Sequence, residues 1–128
     1  MHIGYVGEGT VNLNSGSVYN GGILEIGYGG NAKGTLNIFD GTYTVADSVV
    51  YGRSGEATLN EAGGTFTQAG GTGYMGLNAK TCRIQVSGSG VVNINAILWA
   101  AYANGNQSII DIEDNGVLNA GNTPVLGT

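Results

Sequence analysis

Charge is scarce in this chain. Lysine, arginine, aspartate and glutamate together make up 10% of the 128 residues, and the net charge is −5. That balance leaves no basic footprint, so nucleic acid is not an expected partner. Proline, cysteine and histidine occur once each, the last two as Cys82 and His2. A lone cysteine excludes an internal disulfide and a multi-cysteine metal site. We read Cys82 as incidental, since serine would serve there at little cost. No apolar run approaches the length of a membrane span. No leader-like segment precedes the first repeat: either one has been removed, the chain is a fragment, or export follows another route. No stretch keeps apolar residues at i, i+3, i+4 and i+7, so little or no helix is expected. Nothing resembles a nucleophile triad, a phosphate-cradling loop or a metal cluster, and His2 sits at a terminus. Coil 3 offers Arg53, Glu56 and Glu61, but its loops are too short to wall a cleft. The expectation is a protein that is not an enzyme and has no cofactor or metal. Scarce charge does not mean disorder, because 41% of the residues are apolar and they alternate strictly.

Glycine is what the chain has in excess: 25 of 128 residues, against a usual share of roughly 7%. There is no Gly-X-Y period, which excludes collagen. The glycines mark a repeat. Gly4, Gly27, Gly52, Gly76 and then Ala101 recur at spacings of 23, 25, 24 and 25. Three more columns keep the same register: Val11, Leu36, Leu59, Ile84, Ile110; Asn12, Asn37, Asn60, Gln85, Asp111; and Val18, Tyr43, Phe66, Val92, Leu118. Self-similarity at this period signals a repeat architecture, and the Leu-x-Ile and Thr-x-Thr alternation selects strands. The expected fold is all-β: one solenoid domain over 1–128, a parallel β-helix of about five coils with three short strands each. The coils are 3–25, 26–50, 51–74, 75–99 and 100–121, followed by a tail, 122–128, that breaks the pattern, holds the one proline and is expected either to be loose or to cover the last coil. Coils should lie about 4.8 Å apart with glycine at the sharp corners.

Alternation assigns the faces. Val11, Leu13, Leu36, Ile38, Leu59, Ile84, Val86, Ile110 and Ile112 should point inward from the first strands. Val18, Tyr43, Val45, Phe66, Val92, Ile94 and Leu118 do so from the second. Leu24, Ile26, Val49, Tyr51, Met75 and Leu98 do so from the third. Coils 4 and 5 carry one extra residue before Gly90 and Gly116, which predicts a wider corner. We read Asp40, Asp47, Glu56 and Glu61 as solvated corner charges.

Outward columns are the candidates for function. Asn12, Asn37, Asn60, Gln85 and Asp111 form a polar ladder, in which stacked amides bond along the rod. Threonines such as Thr42, Thr44, Thr65 and Thr67 suggest ice binding as a remote alternative, although the rows fail in coils 4 and 5. Glu25, Val50, Tyr74 and Trp99 share a third-strand column, with Ile97 beside it. We expect Val50, Tyr74, Ile97 and Trp99 to present an exposed interaction face, suited to lateral protein contact or, alternatively, to a surface glycan. The run Asp111, Glu113, Asp114, Asn115, Gly116 is a loose calcium-loop pattern lacking glutamate at the twelfth place.

Three stretches carry a family likeness: IGYVGEGTVNLNSGSV at 3–18, IGYGGNAKGTLNIFDGTYTV at 26–45 and YGRSGEATLNEAGGTFTQ at 51–68. They resemble the G-x-G-T-L-x-V-x-G-G-x-x-x-V repeats of autotransporter passengers and the related PEP-CTERM-associated repeats. The resemblance implies a single-stranded right-handed parallel β-helix on a secreted or surface protein, used as a stalk, adhesin or matrix element. No segment reads as a cap over the end coils. Open solenoid ends template pairing, so we expect self-association, head to tail through coils 5 and 1 and laterally through the aromatic face. The other possibility is that the chain is one piece of a larger fibre or adhesin. The expected setting is extracellular or the cell surface, with a carbohydrate-binding module as the alternative function.

Overall fold

The computed structural model describes residues 1–78, 81–103, 105–121 and 125–126. Strands follow one another with no helix among the described residues. A short β1 (His2–Ile3) precedes the first coil, which is β2 (Glu8–Leu13), β3 (Ser17–Asn20) and β4 (Leu24–Ile26). The second coil is β5 (Lys33–Ile38), β6 (Thr42–Val45) and β7 (Val49–Tyr51), and the third is β8 (Glu56–Glu61), β9 (Thr65–Gln68) and β10 (Thr72–Met75). The fourth is β11 (Thr81–Val86), β12 (Val91–Ile94) and β13 (Ile97–Ala100), and the fifth is β14 (Gln107–Ile112), β15 (Val117–Ala120) and β16 (Val125–Leu126).

Each strand pairs in parallel with its counterpart one coil away. The result is three sheets: β2-β5-β8-β11-β14, β3-β6-β9-β12-β15 and β1-β4-β7-β10-β13-β16. This is a β-solenoid, and the register expected from the glycine column holds throughout. Val11, Leu36, Leu59, Ile84 and Ile110 are successive partners, as are Val18, Tyr43, Phe66, Val92 and Leu118. The inward residues form one continuous apolar core in which Leu36, Tyr43, Tyr51, Leu59, Phe66 and Ile84 have no exposure at all. Burial fades toward the ends. Val11, Val18, Ile110 and Leu118 are only partly buried, and Ile112, in an inward column, is 52% exposed. Of the tail, Val125–Leu126 forms a strand on β13, with Trp99 opposite Val125 and Ala100 opposite Leu126; 122–124 and 127–128 lie outside the described residues. The Leu126-Gly127 dipeptide repeats the Ile-Gly pattern of the earlier coils.

Two inward positions hold buried polar side chains, and the first overturns the sequence reading. Glu61 follows Ile38 and precedes Val86 in an inward column, and it is fully buried rather than solvated. Gln68, between Val45 and Ile94, is equally buried. Alternation decided both, because a strand residue at an inward position points inward whatever its polarity. Gly73 explains how Gln68 fits. A Cβ at Gly73 would lie 3.1 Å from Gln68 Oε1, so the missing side chain there leaves room for the amide.

The corners are made as the glycines require. Gly4, Gly27, Gly52 and Gly76 all have φ between 68° and 78°, and Ala101 takes the same left-handed bend at φ 51°. The wider corners of coils 4 and 5 are turns in which the Gly90 N–H donates to Ser87 O (2.9 Å) and the Gly116 N–H to Glu113 O (3.0 Å). Gly88 and Asp114 supply their left-handed residues.

The corner column makes a graded prediction. A Cβ at Gly27 would collide with the backbone carbonyl of Glu56, whereas at Gly76 it would meet the Asn106 side chain at 3.1 Å. Gly27→Ala should cost about 3 kcal/mol or more, combining left-handed strain with backbone overlap. Gly76→Ala should cost only about 1–2 kcal/mol of left-handed strain. Urea denaturation midpoints of the two variants measure the difference, and equal losses would contradict the packing described here.

Candidate interaction surfaces

The first surface is the polar ladder on the sheet of β2, β5, β8, β11 and β14. Asn37 Nδ2 donates to Asn12 Oδ1 at 2.8 Å, and Asn60 Nδ2 donates to Asn37 Oδ1 at 2.7 Å. The bonds all run one way, each amide donating to the coil before it. Gln85 and Asp111 continue the column by register, but Asp111 Oδ2 instead accepts from Arg83 at 2.8 Å. Among the described residues the Asn12 amide nitrogen has no acceptor and Asp111 Oδ1 has no donor. A second, shorter ladder went unread in the sequence. On the adjoining sheet Asn119 Nδ2 donates to Asn93 Oδ1 (2.9 Å), and Asn93 Nδ2 reaches Thr67 Oγ1 (3.5 Å). The period of the Thr-x-Thr rows, followed into coils 4 and 5, would have found it. The threonines stack in register as Thr10–Thr35–Thr58 and as Thr42–Thr65, but Arg83 and Val91 interrupt the columns.

The second surface lies on the sheet of β1, β4, β7, β10, β13 and β16. Its outward column runs His2, Glu25, Val50, Tyr74, Trp99 in register, as expected. Its exposure is not as expected. Val50 is 5% exposed, Tyr74 and Trp99 are half-buried, and only Ile97 is open, at 40%. Beside this column stand side chains from the position after each corner residue, among them Tyr5, Tyr28, Arg53 and Tyr102, which meet His2, Glu25, Tyr74 and Trp99. Tyr5 and Tyr28 stack with ring centroids 4.8 Å apart and 18° between planes, and His2 meets both rings edge-on. The Arg53 guanidinium lies 5.2 Å from the Tyr28 ring centre, within cation–π range. Tyr102 stands edge-on to Tyr74 and Trp99, at 5.4 Å and 5.9 Å.

Glu25 ties the lower half of this surface together. It is 7% exposed, and a carboxylate that deep needs partners. His2 Nδ1 lies 3.0 Å from Glu25 Oε2, and Arg53 hydrogen-bonds Glu25 Oε1. That bond, followed by the charge of Glu25, pushes the Arg53 guanidinium above its usual range. The carboxylates of coil 3 do not converge with it. Glu56 lies at the open start of β8, with Lys33 between it and Glu8 at 3.9 Å from each, while Glu61 is inside the rod. The loose calcium pattern is likewise dispersed. Asp111 is held by Arg83, Asp114 shapes its turn, and among the described residues no three His, Cys, Asp or Glu side chains group as metal ligands. A cleft of about 230 Å³ beside Lys33 and Glu56 is below the size of an ordinary ligand pocket.

No family model, no curated protein and no solved structure matches the chain.

Inside the second and third coils three buried polar atoms have no hydrogen-bond partner among the described residues: Tyr51 OH, Glu61 Oε2 and Gln68 Oε1. Glu61 Oε1 accepts from the Gly64 N–H at 2.6 Å, and Gln68 Nε2 donates to Gly70 O at 2.9 Å. Burial pushes the Tyr51 phenol well above its usual range. Burial also raises the Cys82 thiol to about 11, so it stays protonated and unreactive at neutral pH. Desolvation raises Glu61 to about 7, against the weaker opposing pull of the Gly64 and Gly63 N–H groups.

Glu61 therefore predicts a pH dependence. Its folded-state value lies above the unfolded one, so the folded chain binds more protons between pH 4.5 and 7. The contribution of Glu61 to stability is greatest below about pH 4.5, falls as pH rises to about 7 and is flat beyond. Glu61→Gln should remove this slope and raise stability at pH 8 by about 3 kcal/mol. Chemical denaturation of both proteins across pH 4–8 measures it.

Proposed function

We propose that the chain is a structural element, a rod that associates with copies of itself end to end and contributes to an extracellular or surface fibre or adhesin. The observation that carries this reading is the pair of complementary ends. The outer edges of β2 and β3 at one end, and of β14 and β15 at the other, have no strand partner among the described residues. Exposed parallel edges of this kind template pairing with another chain.

Side chains agree with the backbone. Continuing the register past β14 places Asn12 of a second copy beside Asp111. The Asn12 amide then donates toward the coil before it, as Asn37 and Asn60 do, to a carboxylate that can only accept. The same register sets Glu8 beside Gln107, so no like charges meet on this sheet. The half-buried Val11 and Val18 at one end and Ile110, Leu118 and the exposed Ile112 at the other would cover each other. A contact that repeats without closing builds an open fibre. The extracellular or surface setting rests on the likeness to passenger-type repeats.

Lateral contact through the third sheet is a weaker part of the proposal, because Val50 is buried and Tyr102 overlies Tyr74 and Trp99. The same geometry weighs against the glycan alternative, since rings at 79° and 88° to one another offer no flat platform for sugar stacking. The arrangement gives no support to an enzymatic role.

Asn12→Asp tests the end contact without disturbing the ladder, since a carboxylate still accepts from Asn37. It removes the donor to Asp111 and sets two like charges together. The wild-type chain should associate at micromolar concentration in light scattering and form rods by electron microscopy. The variant should need about tenfold more protein, the effect of losing one charge-assisted bond. A monodisperse wild-type monomer would refute the proposal. A parallel glycan array with Trp99→Ala addresses the alternative: sugar binding lost with the tryptophan would favour it.

A further inference from the structure

The three sheets are not equally long. The third has six strands and the others five. The difference comes from chain order: β1 enters the third sheet ahead of β2, and β16 re-enters it after β15.

This matters at an end-to-end contact. Advancing a second copy by five coils carries its β2 to the row beyond β14 and its β3 to the row beyond β15, both open among the described residues. The same advance carries its β1 onto the row beyond β13, which β16 already occupies. One position is claimed by two strands.

We infer that end-to-end association is a strand exchange, in which β16 of one copy leaves β13 and β1 of the next copy takes its place. This rests on the end-to-end reading proposed above. His2–Ile3 then pairs with Trp99–Ala100, the residues that now face Val125–Leu126. The exchange is even on the third sheet, where β1 and β16 both pair over two residues. It is a net gain on the others, where β2 and β14 are six residues each and β3 and β15 four each. Side chains favour the incoming strand. Tyr5 follows β1 as Tyr102 follows β13, so the corner file would continue from Tyr102 to Tyr5 and Tyr28 of the next copy, at the spacing at which Tyr5 and Tyr28 already stack. His2 would come to lie beside Trp99. The β16 strand therefore acts as a competitor that holds one row of the contact closed until a second copy displaces it.

Two variants test the exchange. In the first the chain stops after Gly121, which removes β16. In the second, Ala100→Cys and Leu126→Cys on a Cys82→Ala background tether β16 to β13. Register partners on adjacent strands lie within the Cα separation a disulfide spans, and alanine at position 82 matches Ala57 in the same column. Sedimentation velocity and Trp99 fluorescence follow association, and far-ultraviolet circular dichroism checks that each variant is folded.

The shortened chain should associate at a concentration at least tenfold lower than the full chain. The oxidised tether should stay monomeric, and reducing it should restore association. Equal association by full, shortened and oxidised tethered chains would overturn the exchange while leaving end-to-end stacking in place. Association lost on shortening but kept in the oxidised tether would also overturn it, making β16 part of the contact rather than its competitor. Should no version associate, including the shortened one, the end-to-end reading falls with it. A shortened chain that fails to fold leaves the oxidised and reduced tether to decide the matter.

Discussion

Every rung of this molecule has to lie directly over the last at the spacing of hydrogen-bonded strands, about 4.8 Å. At that distance the first two corners have no room for a side chain on their inner side: the backbone at Gly4 and Gly27 passes so close to the next coil that a Cβ would strike a carbonyl. There glycine is a condition of stacking rather than a source of flexibility. Once the corners permit it, register follows for the whole length, and each surface property becomes a file running along the rod. The asparagine ladder, the threonine columns and the aromatic file are all the same event repeated from coil to coil. What distinguishes one level from another is where a file is interrupted.

The interior and the ends then stand in contrast. Between coils, each backbone group of a strand meets a neighbour and each inward side chain meets another above and below. At the first and fifth coils one of these neighbours is missing among the described residues, and the partial burial of Val11, Val18, Ile110 and Leu118 records it. The side chains that a repeat normally satisfies internally, an asparagine that donates and a carboxylate that accepts, are left half-used at opposite ends. The direction of the amide bonds gives the rod a polarity, and a polar rod joins head to tail more readily than head to head.

Much of this was legible in the sequence because period two and a fixed repeat length leave few choices. The corner glycines, the ladder of Asn12, Asn37 and Asn60, and the inward columns all follow from spacing alone, as does Ala101 standing in for glycine. The failures have particular causes. The charge of Glu61 points outward, while its place in the alternation sets it beside Ile38 and Val86. Gln68 is likewise polar at an inward place, and its fit depends on Gly73, a residue on another strand. The exposure of the third-strand column is not legible from that column alone. The position after each corner residue supplies Tyr28 and Arg53, which meet each other, and Tyr102, which stands against Tyr74 and Trp99. The tail breaks the pattern, yet its Leu126-Gly127 echoes the repeat, and Val125–Leu126 pairs with the fourth coil's last strand.

The third coil differs from its neighbours in having polar groups within. Near-identical rungs carry a hazard, since a stack can form one step out of place and still bury most of its apolar surface. A glutamate and a glutamine set among isoleucines and valines make the middle level unique. A chain that slipped by one step would take Glu61 from its place between Ile38 and Val86 and Gln68 from its place between Val45 and Ile94. The cost of keeping a carboxyl group in the dark is the counterpart of a unique address: the middle rung is the one level that no other can replace.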